Sequence, residues 1–114
     1  MTQDFLPSTK PGGDDGELTL VVRGEIDMLT APKLDVEIEE AVARRPDVLV
    51  VDLAEVTFLD SSGCNVLVRG KRRADTAGVG LELTALPPAC LRVFEIAGLL
   101  ELFTIRPAQG DGHS

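Results

Sequence analysis

Residues 56–63 read Val-Thr-Phe-Leu-Asp-Ser-Ser-Gly, and this stretch decides how the whole chain is interpreted. The preceding residues 48–53 are apolar almost without alternation, which predicts a strand that is covered on its faces. Residues 64–77 have helical character, so the Asp-Ser-Ser-Gly turn lies where a strand gives way to a helix. The first N–H groups of a helix have no internal partner, and the helix dipole is positive there, so this turn can accommodate an added phosphate. A hydroxyl group at this turn is therefore a candidate phosphorylation site.

The helix predicted over residues 64–77 has one apolar face that would pack against the rest of the domain. This face is formed by Val66, Leu67, Gly70, Ala74 and Ala77. A glycine inside a helix costs about 1 kcal/mol of helix propensity. We expect that Gly70 is present because it lets the helix lie close to the sheet. Gly78 or Gly80 is expected to end the helix.

Upstream of the turn, residues 18–22 alternate and are rich in β-branched side chains, which predicts a strand that ends at Gly24. A helix is expected to follow from the N-cap residue Thr30, with Pro32 in its first turn, and to run to about Arg45. The buried stripe of this helix is formed by Leu34, Ile38, Ala41 and Val42.

Downstream of the turn, residues 81–86 alternate as a strand, and two prolines precede a helix predicted over residues 89–97. Gly98 takes the C-cap position of this helix, and residues 102–105 are predicted to form a last strand. The inward face of the helix is expected to carry Cys90, Val93, Phe94 and Ala97. This alternation predicts an α/β domain with a mixed, mostly parallel sheet of four to five strands and three main helices.

The length of 114 residues is enough for one domain and too short for two separate cores. Residues 7–17 are rich in Pro, Gly and Asp, which predicts a loop or a disordered stretch. We therefore expect a flexible N-terminal segment over residues 1–17, with room for a short edge strand. The folded domain is expected over residues 18–106, followed by a disordered tail over residues 107–114.

The net charge of −8 disfavours binding to DNA, RNA or an anionic membrane, because phosphate binding needs clustered Lys and Arg. It is compatible with a basic protein partner. The main basic cluster lies in the second half of the helix over residues 64–77, where cations suit the helix dipole, and is interpreted as a solvated helix end. Its members are Arg69, Lys71, Arg72 and Arg73.

The residues that commonly carry chemistry are few. Cys64 and Cys90 do not make a disulfide framework, and we expect both to be free thiols. The single histidine, His113, is next to the last residue, which argues against a His-based triad and against a zinc site with two His ligands. No leader-like segment and no run of about 18 apolar residues is present, so the protein is expected to be soluble and cytoplasmic. Neither a metal nor a cofactor is expected.

With these features in place, the chain resembles the sulfate-transporter/anti-sigma-antagonist (STAS) domain family, and within it the bacterial anti-anti-sigma factors. The resemblance covers residues 18–106 and therefore most of the chain. The motifs that carry it are Gly24-Glu25-Ile26-Asp27, Val51-Asp52-Leu53, the stretch 57–63, and the late helix with Leu91, Phe94, Gly98 and Leu99. The family has a first strand before residue 18, which here only residues 4–6 would supply. This chain also has Cys64-Asn65 where the family often has a pair such as Leu-Gly.

In such proteins the first serine of the turn is phosphorylated by a partner that is both a serine kinase and an anti-sigma factor. The unphosphorylated form binds that partner and frees a sigma factor, the phosphorylated form does not bind, and a serine phosphatase resets the switch. The resemblance therefore implies that Ser61 is the phosphoacceptor of an anti-sigma factor antagonist. It also implies a partner-facing surface that includes Asp27, Asp60, Ser62, Gly63, Cys64 and Asn65.

The residues alone leave alternatives open at this turn. Asp60, Ser61 and Ser62 are all good N-cap residues, so Ser61 is also compatible with a plain cap. If Ser61 accepts phosphate, we expect Ser62 to be the structural cap, while Asp60 either caps the helix or orients the turn. Cys64 in the first helical turn is compatible with a lowered pKa, but buried packing is the favoured interpretation.

Two alternative functions compete with the phosphorylation switch. A serine hydrolase needs a Gly-x-Ser-x-Gly elbow, and residue 59 is Leu59 rather than glycine. No phosphate-binding glycine loop with a lysine is present, so the chain is not expected to be an ATPase, a kinase or another enzyme. The stronger alternative is a scaffold-type STAS module that binds a membrane protein, a signalling assembly or a small ligand without a phosphorylation cycle.

Overall fold

A computed structural model describes residues 8–11 and 16–106, over which strands and helices alternate. In chain order the elements are β1 (Ser8–Pro11), β2 (Glu17–Ile26), α1 (Ala31–Ala43), β3 (Val48–Leu59), α2 (Ser61–Ala77), β4 (Gly80–Thr84), α3 (Pro88–Ala97) and β5 (Thr104–Arg106). A single 3₁₀ turn, Leu100–Leu102, precedes β5.

The five strands form one sheet in the order β1-β2-β3-β4-β5. β1 is antiparallel to β2, and the other neighbouring pairs are parallel. Each parallel pair is joined by a helix, so the carboxyl ends of β2 and β3 lie at the same edge of the sheet. The predicted fold class, a mixed and mostly parallel α/β domain, is confirmed. This topology brings the loop after β2 next to the Asp-Ser-Ser-Gly turn after β3.

The core is almost entirely aliphatic, as the low aromatic content of 4% requires. Alternate residues of β2 and β3 pack against the helices, and the predicted buried stripe of α1 is confirmed. Phe94 of α3 is fully buried and contacts Phe103, with ring centroids 5.5 Å apart. The fully buried side chains that fix the sheet under the helices include Leu20, Val22, Leu49, Val51, Leu53 and Leu83.

Both central strands are longer than predicted. β2 does not end at Gly24 but continues to Ile26, because Gly24 adopts φ 87° at a register irregularity that a glycine can adopt. β3 continues past residue 53 to Leu59, where it still pairs with Ile26. This extension rests on pairing between strands distant in sequence, which the local pattern did not reveal. The longer β3 places the Asp-Ser-Ser-Gly turn at the end of the sheet.

Several predicted helix and strand limits also change. α1 ends at Ala43 rather than near Arg45, which has φ 55° and therefore cannot continue a right-handed helix. α2 begins at Ser61, three residues earlier than predicted. On α3, Cys90 and Phe94 are buried as expected, whereas Ala97 is exposed at the last turn. The strands predicted over residues 81–86 and 102–105 are observed as β4 and β5, with the limits given above.

Gly70 permits close packing of two helices rather than of a helix on the sheet. A Cβ atom at Gly70 would lie 2.9 Å from Cγ2 of Ile38 on α1, closer than carbon atoms can approach. The predicted reason for this glycine, contact with the sheet, is therefore wrong, because α1 fills the space opposite it. Gly78 ends α2 as its C-cap with φ 76°, as one of the two predicted alternatives.

The first strand lies where a loop was predicted. Residues 8–11 form β1 and pair with residues 18–21 of β2, so the interpretation of residues 7–17 as loop or disorder is wrong for this part. The backbone of β1 is stabilised by antiparallel pairing across the sheet edge, which tolerates proline and leaves no signal in local composition. Residues 4–6, the predicted source of this strand, lie outside the described residues, as do the predicted tail 107–114 and His113.

Candidate functional site

Asp60 is the N-cap of α2. Its Oδ1 atom accepts hydrogen bonds from the backbone N–H groups of Ser62 at 2.8 Å and Gly63 at 3.3 Å. Its backbone is extended, with φ −109° and ψ −170°, as a residue just before a helix requires. The prediction that Ser62 is the structural cap is therefore wrong, since Ser62 already lies inside the first helical turn. Of the two roles left open for Asp60, the structure shows capping.

Because Asp60 caps the helix, the Ser61 hydroxyl has no structural task there. Ser61 is the first residue of α2 and is exposed. Within residues 8–11 and 16–106, no hydrogen bond of its side chain is found. The free hydroxyl therefore projects from the positive end of a 17-residue helix at the carboxyl edge of the sheet.

The loop between β2 and α1 lies beside this turn, since the Asp60 N–H donates to the Ile26 carbonyl at 3.2 Å. Asp27 organises the loop: its Oδ1 atom accepts from the N–H groups of Leu29 at 2.9 Å and Thr30 at 3.1 Å. Thr30 takes the N-cap position of α1 as predicted, but its side chain makes no cap hydrogen bond. Its hydroxyl instead donates to the Glu25 carbonyl at 2.8 Å. Asp27 is half-buried, and its carboxylate stabilises the loop through these hydrogen bonds.

This loop exposes two large apolar side chains. Met28 is 73% exposed and Leu29 is 82% exposed, although both belong to a turn that hydrogen bonds hold in place. The two adjacent side chains form a small apolar patch on the surface of this ordered turn. Sequence reasoning missed both residues. The signal that would have found them is an apolar pair enclosed between Asp27 and Thr30, two residues that form turns.

A surface groove of about 460 Å³ lies next to the turn and is lined by residues of both α1 and α2. We call it the serine groove; its lining residues are Met28, Ala31, Pro32, Asp35, Val36, Ser62, Asn65, Val66 and Arg69. The predicted site residues Ser62 and Asn65 thus share one surface with the exposed Met28. Ser62 is half-buried and Asn65 is exposed.

Gly63 and Cys64 lie beneath this surface rather than on it. Cys64 is only 5% exposed, so its side chain does not face a partner as predicted. A Cβ atom at Gly63 would lie 2.3 Å from Cδ1 of Leu59 and 2.8 Å from Cγ2 of Ile26. Gly63 is therefore required for the close approach of α2 to the ends of β2 and β3, and both residues support the turn from below.

The two cysteines are buried free thiols, which confirms the prediction made for them. Burial raises the pKa of both thiols, and for Cys64 the nearby Cys90 and the Asp60 carboxylate raise it further. A raised pKa lowers the thiolate fraction at neutral pH, so Cys64 lacks the activated character of a nucleophile. Packing, the favoured interpretation, is what the structure shows.

Other kinds of site find little support. Within the described ranges, no group of three or more His, Cys, Asp or Glu side chains is arranged to hold a metal ion. The described helices include none with the length and apolar character needed to cross a membrane. What the arrangement offers chemically is one exposed hydroxyl at a helix N-terminus, beside an ordered apolar loop and a groove.

The cap can be tested directly. We expect Asp60→Ala to lower the free energy of unfolding by about 1 kcal/mol, because two N–H groups of α2 lose their acceptor. Asp60→Asn keeps a side-chain oxygen at the same place and is the matched control, with a loss of at most a few tenths of a kcal/mol. Urea denaturation followed by circular dichroism measures both. Equal stability of Asp60→Ala and the native protein would contradict the assignment of the cap.

Comparison with known proteins identifies the family to which this fold belongs. The family model described as "Mlab, STAS domain" matches residues 10–105. An anti-sigma-B factor antagonist of Listeria monocytogenes is 34% identical over 98 residues, which cover 86% of this chain and 86% of the relative. The crystal structure of an anti-sigma factor antagonist from Mycobacterium paratuberculosis has 35% identity and a TM-score of 0.78, covering 91% of this chain and 88% of that one.

The fold also extends to more distant proteins. The anti-sigma factor antagonist SpoIIAA, solved in its unphosphorylated form, has a TM-score of 0.72 at 18% identity, over 92% of this chain and 88% of that chain. At this level of identity the likeness concerns the fold alone. The family match and the Listeria relative together cover most of the chain. The chain therefore belongs to the STAS domain family, in which it is similar to anti-sigma factor antagonists.

Proposed function

We propose that this protein is an anti-sigma factor antagonist controlled by phosphorylation of Ser61. Its unphosphorylated form binds an anti-sigma factor with serine kinase activity and so frees a sigma factor in the cytoplasm. Phosphorylation of Ser61 by that partner blocks the complex, and a serine phosphatase restores it. The protein is a regulator and not an enzyme. The relatives named as antagonists of anti-sigma factors support the binding function.

The observation that supports phosphorylation is that Asp60, and not Ser61, caps α2. Asp60 satisfies the N–H groups of Ser62 and Gly63, which leaves the exposed Ser61 hydroxyl without a structural role. A kinase can therefore reach this hydroxyl, and its modification removes no hydrogen bond from the fold. The same argument disfavours Ser62, which is half-buried and lies in the first turn behind Ser61.

Electrostatics explain how one phosphate can change binding without refolding. The group adds about −1.5 to −2 charge at pH 7. At the N-terminus of α2 the charge–dipole interaction is worth about 0.3–1 kcal/mol, so the free protein tolerates it. Against a partner the same charge must lose its water, which costs several kcal/mol when it is unpaired. A difference of about 4 kcal/mol changes the affinity by about a thousandfold.

The surface proposed for the partner surrounds Ser61. Met28 and Leu29 supply apolar contact area, and Ser62 and Asn65 supply polar groups along the serine groove. Asp27 contributes by holding the loop that presents Met28 and Leu29, which refines its predicted role as a contact. The ordered loop is favourable for binding, because less conformational entropy is lost when the partner covers it.

The proposal is tested by mapping the phosphorylated residue. The protein is incubated with its cognate anti-sigma factor kinase and ATP, and the modified site is identified by mass spectrometry. We expect phosphate on Ser61, no labelling of Ser61→Ala, and unchanged labelling of the control Ser62→Ala. Phosphate on Ser62 alone, or labelling that survives Ser61→Ala, would refute the assignment. A complex that forms without any labelling would favour the scaffold-type module.

A further inference from the structure

A second groove lies toward the carboxyl end of α2, away from Ser61. It has a volume of about 620 Å³ and is lined by Arg45, Arg69, Arg72, Arg73, Thr76 and Ala77. We call this surface, defined by its four arginines, the basic groove. None of the described residues that line it is an Asp or a Glu. This local excess of positive charge contrasts with the net charge of −8 of the whole chain.

The arginines of the basic groove are only partly neutralised. A single carboxylate, Asp35 of α1, contacts Arg73 at 3.3 Å and Arg69 at 3.6 Å. Arg45 donates to the Ala77 carbonyl at 3.0 Å, an acceptor without a net charge. Arg72 is exposed and has no ion pair with any residue of the described part of the chain. Positive charge therefore remains available in the groove for an acidic group from outside.

The end of the helix does not account for this cluster. The last turn of α2 contains no basic residue, and the effect of the helix dipole fades beyond that turn. The predicted solvated helix end agrees with the exposure of Arg69 and Arg72, but the helix dipole does not account for the clustering of these two residues with Arg73 around one groove. Only Arg45 reaches the end of α2, and it does so from a backbone with φ 55°, which residues with a Cβ atom rarely adopt.

We propose that the basic groove is a docking surface for an acidic segment of a protein partner. Arg69 lines both this groove and the serine groove, so the two form one continuous surface along α2. From Ser62 to Ala77 this surface is about 22 Å long, the length of about seven residues of extended chain. A small anion would cover only part of it. Nucleic acid is disfavoured because the net charge of −8 repels a polyanion beyond the groove.

The experiment uses the full chain, labelled with ¹⁵N, and a hexaglutamate peptide as the probe. We expect amide shifts in the NMR spectrum to concentrate at Arg72, Arg73 and Thr76, and binding to weaken as salt rises from about 50 to 300 mM. Arg72→Glu, which reverses an exposed and unpaired charge, should weaken binding by about tenfold or more. The control Arg92→Glu makes the same charge change on the exposed face of α3 and should alter binding by less than about twofold.

Three outcomes would overturn the proposal. They are shifts outside the groove, equal losses in Arg72→Glu and Arg92→Glu, and binding of hexaglutamine or inorganic phosphate as tight as that of hexaglutamate. The last would make the groove a general polar or small-anion site rather than a docking surface. Circular dichroism checks that both variants fold, and Arg72→Gln, with a loss of about threefold, replaces Arg72→Glu if that variant does not. The peptide assay does not depend on phosphorylation of Ser61, so its failure would leave the proposed switch unaffected, and the reverse holds as well.

Discussion

Ser61→Asp is expected to weaken binding to the anti-sigma factor partner by about a thousandfold while leaving the fold nearly intact. The carboxylate suits the N-terminus of α2, where Asp60 already shows that an acidic side chain is accommodated. In a complex, however, the charge at this exposed position would be removed from water without a partner. Isothermal calorimetry measures the affinity, and circular dichroism on the same samples measures the secondary structure.

The matched control for this prediction is Ser61→Asn. Asparagine has nearly the shape of aspartate but no charge, so we expect Ser61→Asn to bind at least tenfold tighter than Ser61→Asp. Equal losses in both variants would show that the size of the side chain, and not its charge, blocks the complex. Loss of binding together with loss of helical signal would mean that Ser61 is a structural residue.

Gly63→Val is expected to lower the free energy of unfolding by about 3 kcal/mol. A Cβ atom at this position would lie 2.8 Å from Cγ2 of Ile26, a buried side chain on β2 that has no room to move away. Leu59 at the end of β3 would be displaced as well, since its Cδ1 atom would be 2.3 Å away. The better helix propensity of valine offsets only a few tenths of a kcal/mol of this overpacking.

Thermal unfolding measures this change. For a domain of this size, about 3 kcal/mol corresponds to a fall in Tm of roughly 12–24 °C. Asn65→Val places the same side chain on the same helix at an exposed position and should change the stability by less than about 0.5 kcal/mol. A Gly63→Val variant as stable as Asn65→Val would show that the turn relaxes around the added atoms.

These two predictions separate the roles of neighbouring residues in one turn. Ser61 faces solvent and Gly63 faces the core, although both belong to the same motif in the sequence. Substitution of Ser61 should therefore change binding with little change in stability. Substitution of Gly63 should change stability first, and binding only through the loss of the folded turn.

Much of the fold could be predicted from the sequence because its signals are local. The spacing of Leu34, Ile38 and Val42 describes one face of a helix, and the apolar run from residue 48 describes a covered strand. Glycine after a helix and proline before one reflect the backbone geometry of those residues, and Gly78 and Gly98 end their helices as expected. The turn could be located because a strand and a helix flank it, whereas the choice of Ser61 within the turn came from the family resemblance.

Only the tertiary structure decided which side chains of the turn face outward, which residue caps α2, and where the first strand lies. Asp60, Ser61 and Ser62 are equivalent as caps by residue type, and the extended backbone at the end of β3 selects Asp60. Cys64 is buried because α2 begins over the ends of the strands. β1 forms because its backbone can pair with the outer edge of β2. Each of these features depends on contacts between segments far apart in the chain, and local sequence patterns do not record which segments become neighbours.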